Sequence, residues 1–482
     1  MKKRPCRTMA FALAFALAAL SLAGCRAAES TTPGAPKTLR VLGDAFTVDV
    51  YNIAFAVSQD NVEVELIDPS NEFKKIIEEQ IKKRQENGDP DSIRGVDYLE
   101  VYRNLLTGPE APDVVFIDER SYRTLAKEGL LLALDGFIDK DRFPLDRLAP
   151  GLVDALRELG EGTLYGFAPT FSAYALVYNK DRFDAAGLPY PTDEMTWDEL
   201  FDLAEALAGE KDGKKRYGLS YGGAFDPIRL TETMLAQQEV MLFTDDGKPN
   251  PVDTPERRAV WTRLVELEKR GVIAPPLSDR LEEIKRASSE AQGGDRFVTP
   301  YEDDDFLSER AAMQLISSGQ LLYIRNVLND AFFFGDNWTP PSFDWDLAAF
   351  PAPADHPDAG GPVHMSRIVA INANAAEPDL AWRYIRLVMS DKLARASRNS
   401  NSFFGELKAY VDANATEALQ GVNLEAFWKR KPIIVPLYTT NETEARVLDA
   451  LNGAMQRVRK EGASVDEALQ AAEREIRQER KE

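Results

Sequence analysis

The sequence predicts an α/β fold laid on open, largely parallel sheets, and three observations carry that prediction. Strand-like and helix-like patterns alternate along the first third of the chain. The apolar strand runs are short and bounded by Gly, Pro, Asn or Asp, and the helical runs carry recognisable end signals.

"TLRVLGDAF" opens with an alternating strand that ends in a glycine turn, and "DVYNIAFAVSQ" reads as part of a helix. "NVEVELID" is a second strand, with glutamates on one face and Val or Leu on the other. "SNEFKKIIEEQIKKRQENGD" has helical spacing and stops at Asn-Gly-Asp. "APDVVFID" reads as a buried strand behind a Pro-Asp turn, and "RSYRTLAKEGLLLAL" as the helix after it, with Gly129 near its C-terminal end. Ligands of such sheets sit beyond the carboxyl ends of the strands. That places Asp118, Glu119 and Arg120 at a candidate edge, with capping of the following helix as the competing use. "LYGFAP" and "SAYALVYN" are further strands, and "RFDAAGLPYP" is a short helix closed by Gly187 and Pro189. Thr196-Trp197-Asp198-Glu199 and Ser464-Val465-Asp466-Glu467 both match a capping box.

The N-terminus speaks to location. Four cations precede an uncharged, alanine-rich run over residues 8–24, the layout of a secretory signal and marginal as a permanent span. Leu22-Ala23-Gly24-Cys25 resembles the bacterial lipobox, so residues 1–24 are expected to be a lipoprotein signal peptide. Cys25 is then the lipidated residue, and 25–38 a flexible linker. Cys6 falls in the leader, which leaves no disulfide and a fold resting on its hydrophobic core.

The formal charge of −21 becomes −25 once Lys2, Lys3, Arg4 and Arg7 are removed. Such a surface lacks the basic footprint nucleic acid requires. Two histidines, His356 and His364, and no free thiol argue against a transition-metal site, so neither metal nor cofactor is expected.

Three blocks in order carry a family resemblance: "APDVVFID…LAKEGLLLALDGFI", "LYGFAP…YALVYNKDRFDAAGL…P…TWDEL" and "AAEPDLAWRYIRLVMSDKLARAS". With the closing "EARVLDALNGAMQRVRKEGASVDEALQAAEREI", they resemble the extracellular solute-binding proteins of family 1, the maltose-binding-protein-like receptors of ABC importers. The resemblance runs from about Thr38 to the C-terminus. The sequence departs from it at "ERAAMQLISSGQLLYIRN", where the family often reads "GKAAM", and in a polar insertion over 282–305.

The resemblance implies a type II periplasmic-binding-protein-like fold of two lobes, hinge strands and an interlobe cleft. Residues 39–167 and 354–402 would form one lobe, 168–353 and 403–482 the other. The chain would cross between them near 165–169, 347–353 and 401–405. Hinge closure would capture a carbohydrate, most simply an oligosaccharide, and pass it to membrane permease subunits, catalysis not being required. The protein would be a monomer held to the outer face of the cell membrane by its lipid.

Candidate ligand residues from the first lobe are Asp44 and Phe46 after the opening strand, beside Gly43, with Asp118, Glu119 and Arg120 after the third. Phe171, Ser172 and Tyr174 follow the first crossing. The second lobe offers Tyr221, Phe225 and Asp226 in "SYGGAFDP", and Asn326, Phe332, Phe334 and Trp338 in "RNVLNDAFFFGDNW". His364 and Arg367 in "HMSR", and Tyr438, complete the set. Rings with flanking carboxylates and amides suit sugars, although each aromatic has core packing as its competing use. Arg120 and Arg367 together would favour a carboxylate-bearing ligand such as a uronate oligosaccharide, against an internal ion pair of Arg120 with Asp118 or Glu119. Two other readings stay open at this point, a secreted glycoside hydrolase or lyase and a receptor serving a sensor kinase. The "YEDDDF" run, tempting as an acid pair, reads as a solvated face.

Overall fold

A computed structural model describes residues 36–86, 98–244, 247–280, 304–328, 341–397, 406–414, 419–435 and 442–478. It contains two sheets. The strands, in chain order, are β1 (Lys37–Leu42), β2 (Val62–Ile67), β3 (Val114–Ile117), β4 (Gly166–Phe167), β5 (Thr170–Asn179), β6 (Gly209–Lys211) and β7 (Lys214–Ser220). They continue with β8 (Ala311–Ser317), β9 (Trp345–Ala349), β10 (Ala359–His364), β11 (Ile368–Ile371), β12 (Leu407–Lys408) and β13 (Lys431–Ile433).

The first sheet has the order β2-β1-β3-β11-β4. β1 runs parallel to β2 and β3, whereas β11 is antiparallel to β3 and β4. The parallel core follows from the residues: β3 is apolar at every position and buried throughout, as a strand covered on both faces must be. The Ala45–Ser58 and Pro378–Val388 helices cover one face together, joined where Tyr384 donates its hydroxyl to Asn52 at 2.7 Å.

The second sheet is organised around β5. Its first half pairs with β12 and β10, its second half with β8 and β9. The sheet then continues through β7 to the edge hairpin β6–β7. Asp212 and Gly213 at the hairpin tip both have positive φ, 54° and 72°, the two-residue turn that Asp-Gly favours. The apolar interior has three parts. One lies under the first sheet and one face of β5, a second under the other face, around Trp197, Phe201 and Leu264. The third lies among the Pro255–Arg270, Glu442–Gln456 and Val465–Gln478 helices. Both capping boxes form, with Thr196 and Glu199 exchanging bonds, and likewise Ser464 and Glu467.

The chain passes between the sheets at residues 168–169, between β4 and β5, and at 365–367, between β10 and β11. The second passage was expected at 347–353. That segment instead stays with the second sheet: β9 is paired along β5, and Ala352 accepts the Trp197 N–H at 3.1 Å. β10 carries the chain on to His364, so residues 354–364 belong with the second sheet too. Its glycines hid it. A side chain at Gly360 or Gly361 would meet Lys431 O at 2.8 Å or the Phe350 ring at 2.9 Å, so the close packing needs residues that read as a loop. The third expected crossing, 401–405, lies outside the described residues, as does Cys25.

The "YEDDDF" run is not simply solvated. The Asp305 carboxylate is buried; it accepts the Ser220 hydroxyl and Arg280, each at 2.8 Å, and lies 3.0 Å from Arg310. Asp304 caps the turn at Phe306 and Leu307. Among the described residues no helix is long and apolar enough to cross a membrane, and no three His, Cys, Asp or Glu side chains gather to hold a metal ion.

A fully buried fork joins Arg257 to Glu232, 1% and 5% exposed, at 2.8–3.2 Å. Glu232→Ala strands the guanidinium and should cost about 3–5 kcal/mol, read as a lower denaturant midpoint. Replacing both, with Glu232→Leu and Arg257→Met, should recover most of that loss.

Candidate functional site

Parallel β1 and β3 end at one edge, so the loops after them emerge side by side. Asp44 and Asp118 are both exposed there. Asp118 also caps the Glu119–Lys127 helix, accepting the Ser121 N–H at 2.7 Å, so the capping use weighed for it holds. Tyr102 stands beside these two carboxylates. Its phenol is pushed up by burial and then by the charges of Asp118 and Asp44.

The next two residues reach the second sheet. Glu119 accepts the Met365 N–H and lies 3.8 Å from Nδ1 of His364. His364 sits opposite Ser172 in register and meets the Tyr174 ring edge-on at 6.0 Å. Arg120 pairs with neither Asp118 nor Glu119; its Nη1 lies 3.7 Å from Glu444 on the Glu442–Gln456 helix. Leu448 and Asn452 follow Glu444 at four-residue spacing and so share its face of that helix. Both line a recess of about 340 Å³. Asp226 and Arg229 give that recess polar atoms, and Met241, Phe243, Val435 and Leu448 give it apolar walls. Asp226 spends its Oδ1 on the Ile228 and Arg229 N–H groups at 2.8 and 2.9 Å, capping the Pro227–Ala236 helix.

Around the passages between sheets the decisive group is Glu406. Its carboxylate accepts the Thr170 hydroxyl at 2.9 Å, the Ser366 hydroxyl at 2.9 Å and the Arg367 guanidinium. Thr170 follows the first passage, Ser366 and Arg367 form the second, and Glu406 stands just before β12. Lys408 and Tyr51 lie within the same field. Burial lowers the Lys408 ammonium and raises the Tyr51 phenol, and the charges of Arg367 and Glu406 act on both in opposite senses.

Several expected ligand residues lie elsewhere. Tyr221 is 1% exposed and donates its hydroxyl to Glu268 at 2.6 Å, beneath Arg459, so it is a core residue. Phe171 and Tyr174 are buried too, because alternate residues of β5 must face one core or the other, and Phe225 is buried against Tyr174. Arg367 is committed to Glu406, which removes it from the expected pair of cleft arginines. Asn326 is exposed on the Ser318–Leu328 helix and accepts from its neighbour Arg325. Phe46 is 85% exposed on the Ala45–Ser58 helix, in one stripe with Val50, Ile53 and Val57. Trp338, Tyr438, Phe332 and Phe334 lie outside the described residues.

Sequence reasoning missed Tyr102, Arg229, Glu406 and Glu444. Arg229 carried a signal, three residues into a helix opened by Asp226 and Pro227, the turn that faces a sheet's ligand edge. Glu406 carried none.

Two α/β sheets joined by repeated chain passages, with Arg120 beside the first reaching Glu444 beside the second, define a two-lobed binding-protein fold. The chain belongs to the bacterial extracellular solute-binding protein family, which its residues 66–394 match. That family consists of extracellular solute-binding proteins. A putative binding protein of Brucella abortus is 29% identical over 209 residues, covering 36% of this chain and 46% of the relative. The chain thus spans about half the length of the curated relatives it matches. Its fold resembles that of a Rhizobium etli sugar transporter solved in an open conformation, with TM-score 0.61 and 19% identity over 91% of this chain and 99% of that one. An ABC substrate-binding protein of Listeria monocytogenes in complex with cycloalternan has TM-score 0.53 and 19% identity, over 92% and 99% of the two chains. At these identities the likeness is one of fold.

Removing the Glu406 acceptor should loosen the passages. Glu406→Ala should lower stability by about 1–3 kcal/mol, given bonds to one charged and two neutral donors. Small-angle scattering of the unliganded variant should show a broader distribution of interlobe distances than the parent. An identical scattering profile would mean that the carboxylate does not restrain the passages.

Proposed function

We propose that this chain is the receptor of an ABC importer for a carbohydrate, held in the recess between the Pro227–Ala236 and Glu442–Gln456 helices and closed over by the first lobe. The carrying observation is that Arg120 of the first sheet meets Glu444 one turn from Leu448, on the recess wall. A solute that extends from the recess past Leu448 to Glu444 and Arg120 would touch both halves. This is the condition for ligand-driven closure, because a ligand shifts the equilibrium only by its differential affinity for the closed form. The recess couples a few polar groups to apolar and aromatic walls, as sugar faces require. The Rhizobium protein, a sugar transporter, and the Listeria protein, in complex with cycloalternan, support the same ligand class. Asp44, Asp118 and Tyr102 would take hydroxyls from the first-lobe side, with His364 and Ser172 near the hinge.

Delivery to permease subunits and anchoring through a lipid on Cys25 belong to the same reading. The exposed Phe46, Val50, Ile53 and Val57 stripe would meet the permease, a contiguous apolar face of the sort protein partners cover.

A thermal-shift screen of neutral oligosaccharides tests the ligand class. A ligand at 100 times its Kd should stabilise the fold by about 2.7 kcal/mol. Arg229→Ala should weaken that ligand at least tenfold while leaving the unliganded melting temperature near the parent's. Absence of any shift across neutral and uronate sugars would overturn the carbohydrate reading. Ile53→Asp should leave sugar affinity intact and reduce uptake by cells that depend on this receptor.

A further inference from the structure

A second cavity, of about 220 Å³, lies away from the cleft at the root of the β6–β7 hairpin. Arg182, Lys211 and Arg216 line it, with Glu210, Glu309 and Ala208. Two guanidiniums converge on one carbonyl. Arg182 Nη1 donates to Glu309 O at 3.2 Å, and Arg216 Nη1 donates to the same oxygen. Glu309 holds a left-handed backbone at φ 57°, within the turn where that shared carbonyl sits. Arg182 also donates to Leu207 O at 2.9 Å. Among the described residues, the hydrogen bonds of both arginines end on backbone carbonyls, and neither forms an ion pair with a carboxylate. Arg459, by contrast, takes the carboxylates of Glu268 and Asp279.

Two like charges sharing one neutral acceptor oppose each other. Burial, and then the charge of Arg216, depress the Arg182 guanidinium. The spare N–H groups of two planar forks beside a lysine match the oxygens of a phosphate, which both can grip bidentately. The hairpin extends the positive sign outward through Lys214 and Lys215, both exposed, in a chain whose net charge is −21. The cavity holds several times the roughly 30 Å³ share of one liquid water, leaving room for an esterified phosphate.

We propose that the cavity bounded by Arg182, Lys211 and Arg216 is a phosphate-oxyanion site, independent of the cleft, for a phosphate ester presented either free in solution or as an anionic lipid headgroup. Near an anionic membrane, occupation would turn the hairpin edge of the second lobe toward the surface that the rest of the molecule avoids.

The test uses the full chain in two arms at fixed ionic strength. In the first, inorganic phosphate is titrated calorimetrically into the parent, Arg216→Gln and Arg216→Lys. The second measures co-sedimentation with phosphatidylglycerol or phosphatidylcholine vesicles. Saturable phosphate binding in the parent, at least tenfold weaker in Arg216→Gln and intermediate in Arg216→Lys, supports the site and a soluble ester. Retention on phosphatidylglycerol alone, lost in Arg216→Gln, supports the site and a headgroup. Binding in neither arm, or binding that both Arg216 variants leave unchanged, overturns it. Arg216→Lys keeps the charge and guards against misfolding of the neutral variant. Neither variant should alter oligosaccharide affinity in the cleft, so this proposal and the carbohydrate reading fail separately.

Discussion

Wherever the chain leaves one sheet for the other, its backbone gives up the ladder that would otherwise satisfy it, and something else must hold neighbouring passages in register. Glu406 supplies that. A carboxylate accepts several bonds without donating any, so one side chain serves a hydroxyl at the start of β5, a hydroxyl before β11 and the guanidinium beside it. The arrangement also suits motion. Side-chain bonds to a carboxylate tolerate rotation of the strands about them better than a paired ladder does, although apolar packing also links the first sheet to one face of β5.

Both halves of the candidate site depend on that geometry. Glu119 and Arg120 are adjacent, yet they reach different partners: the Met365 amide near the pivot, and Glu444 beside the recess. The loop after β3 therefore touches the second lobe at two depths. Relative rotation of the lobes changes the outer contact more than the inner one, because displacement grows with distance from the axis.

Much of the fold was legible because its signals are local. β3, the helix after it and both capping boxes rest on short-range patterns, and they stand where "APDVVFID", "TWDE" and "SVDE" placed them. β10 was not legible, because Gly360 and Gly361 are there for close approach to Lys431 and Phe350, neighbours that only the fold brings near. The same limit governs the site. Asp118, Glu119 and Arg120 could be found as residues at a strand's carboxyl end. The partner of Arg120 could not, since Glu444 stands over three hundred positions away in an ordinary helical sequence. Tyr221 looked like a loop aromatic because of its two following glycines, yet Gly222 simply lets the chain turn past Leu315 with the ring tucked inside.

β5 joins partners that the chain supplies at very different times. Its first pairing residues, Thr170 and Phe171, lie opposite Lys408 and Leu407. The bond from Thr170 to Glu406 spans 236 positions. During synthesis the first residues of the central strand therefore wait until β10 and β12 have emerged. Topologies that rely on such distant closures fold slowly and expose bare strand edges meanwhile. A nascent chain lacking its last quarter would leave the start of β5 without its β12 partner, an open edge until the end of the polypeptide arrives.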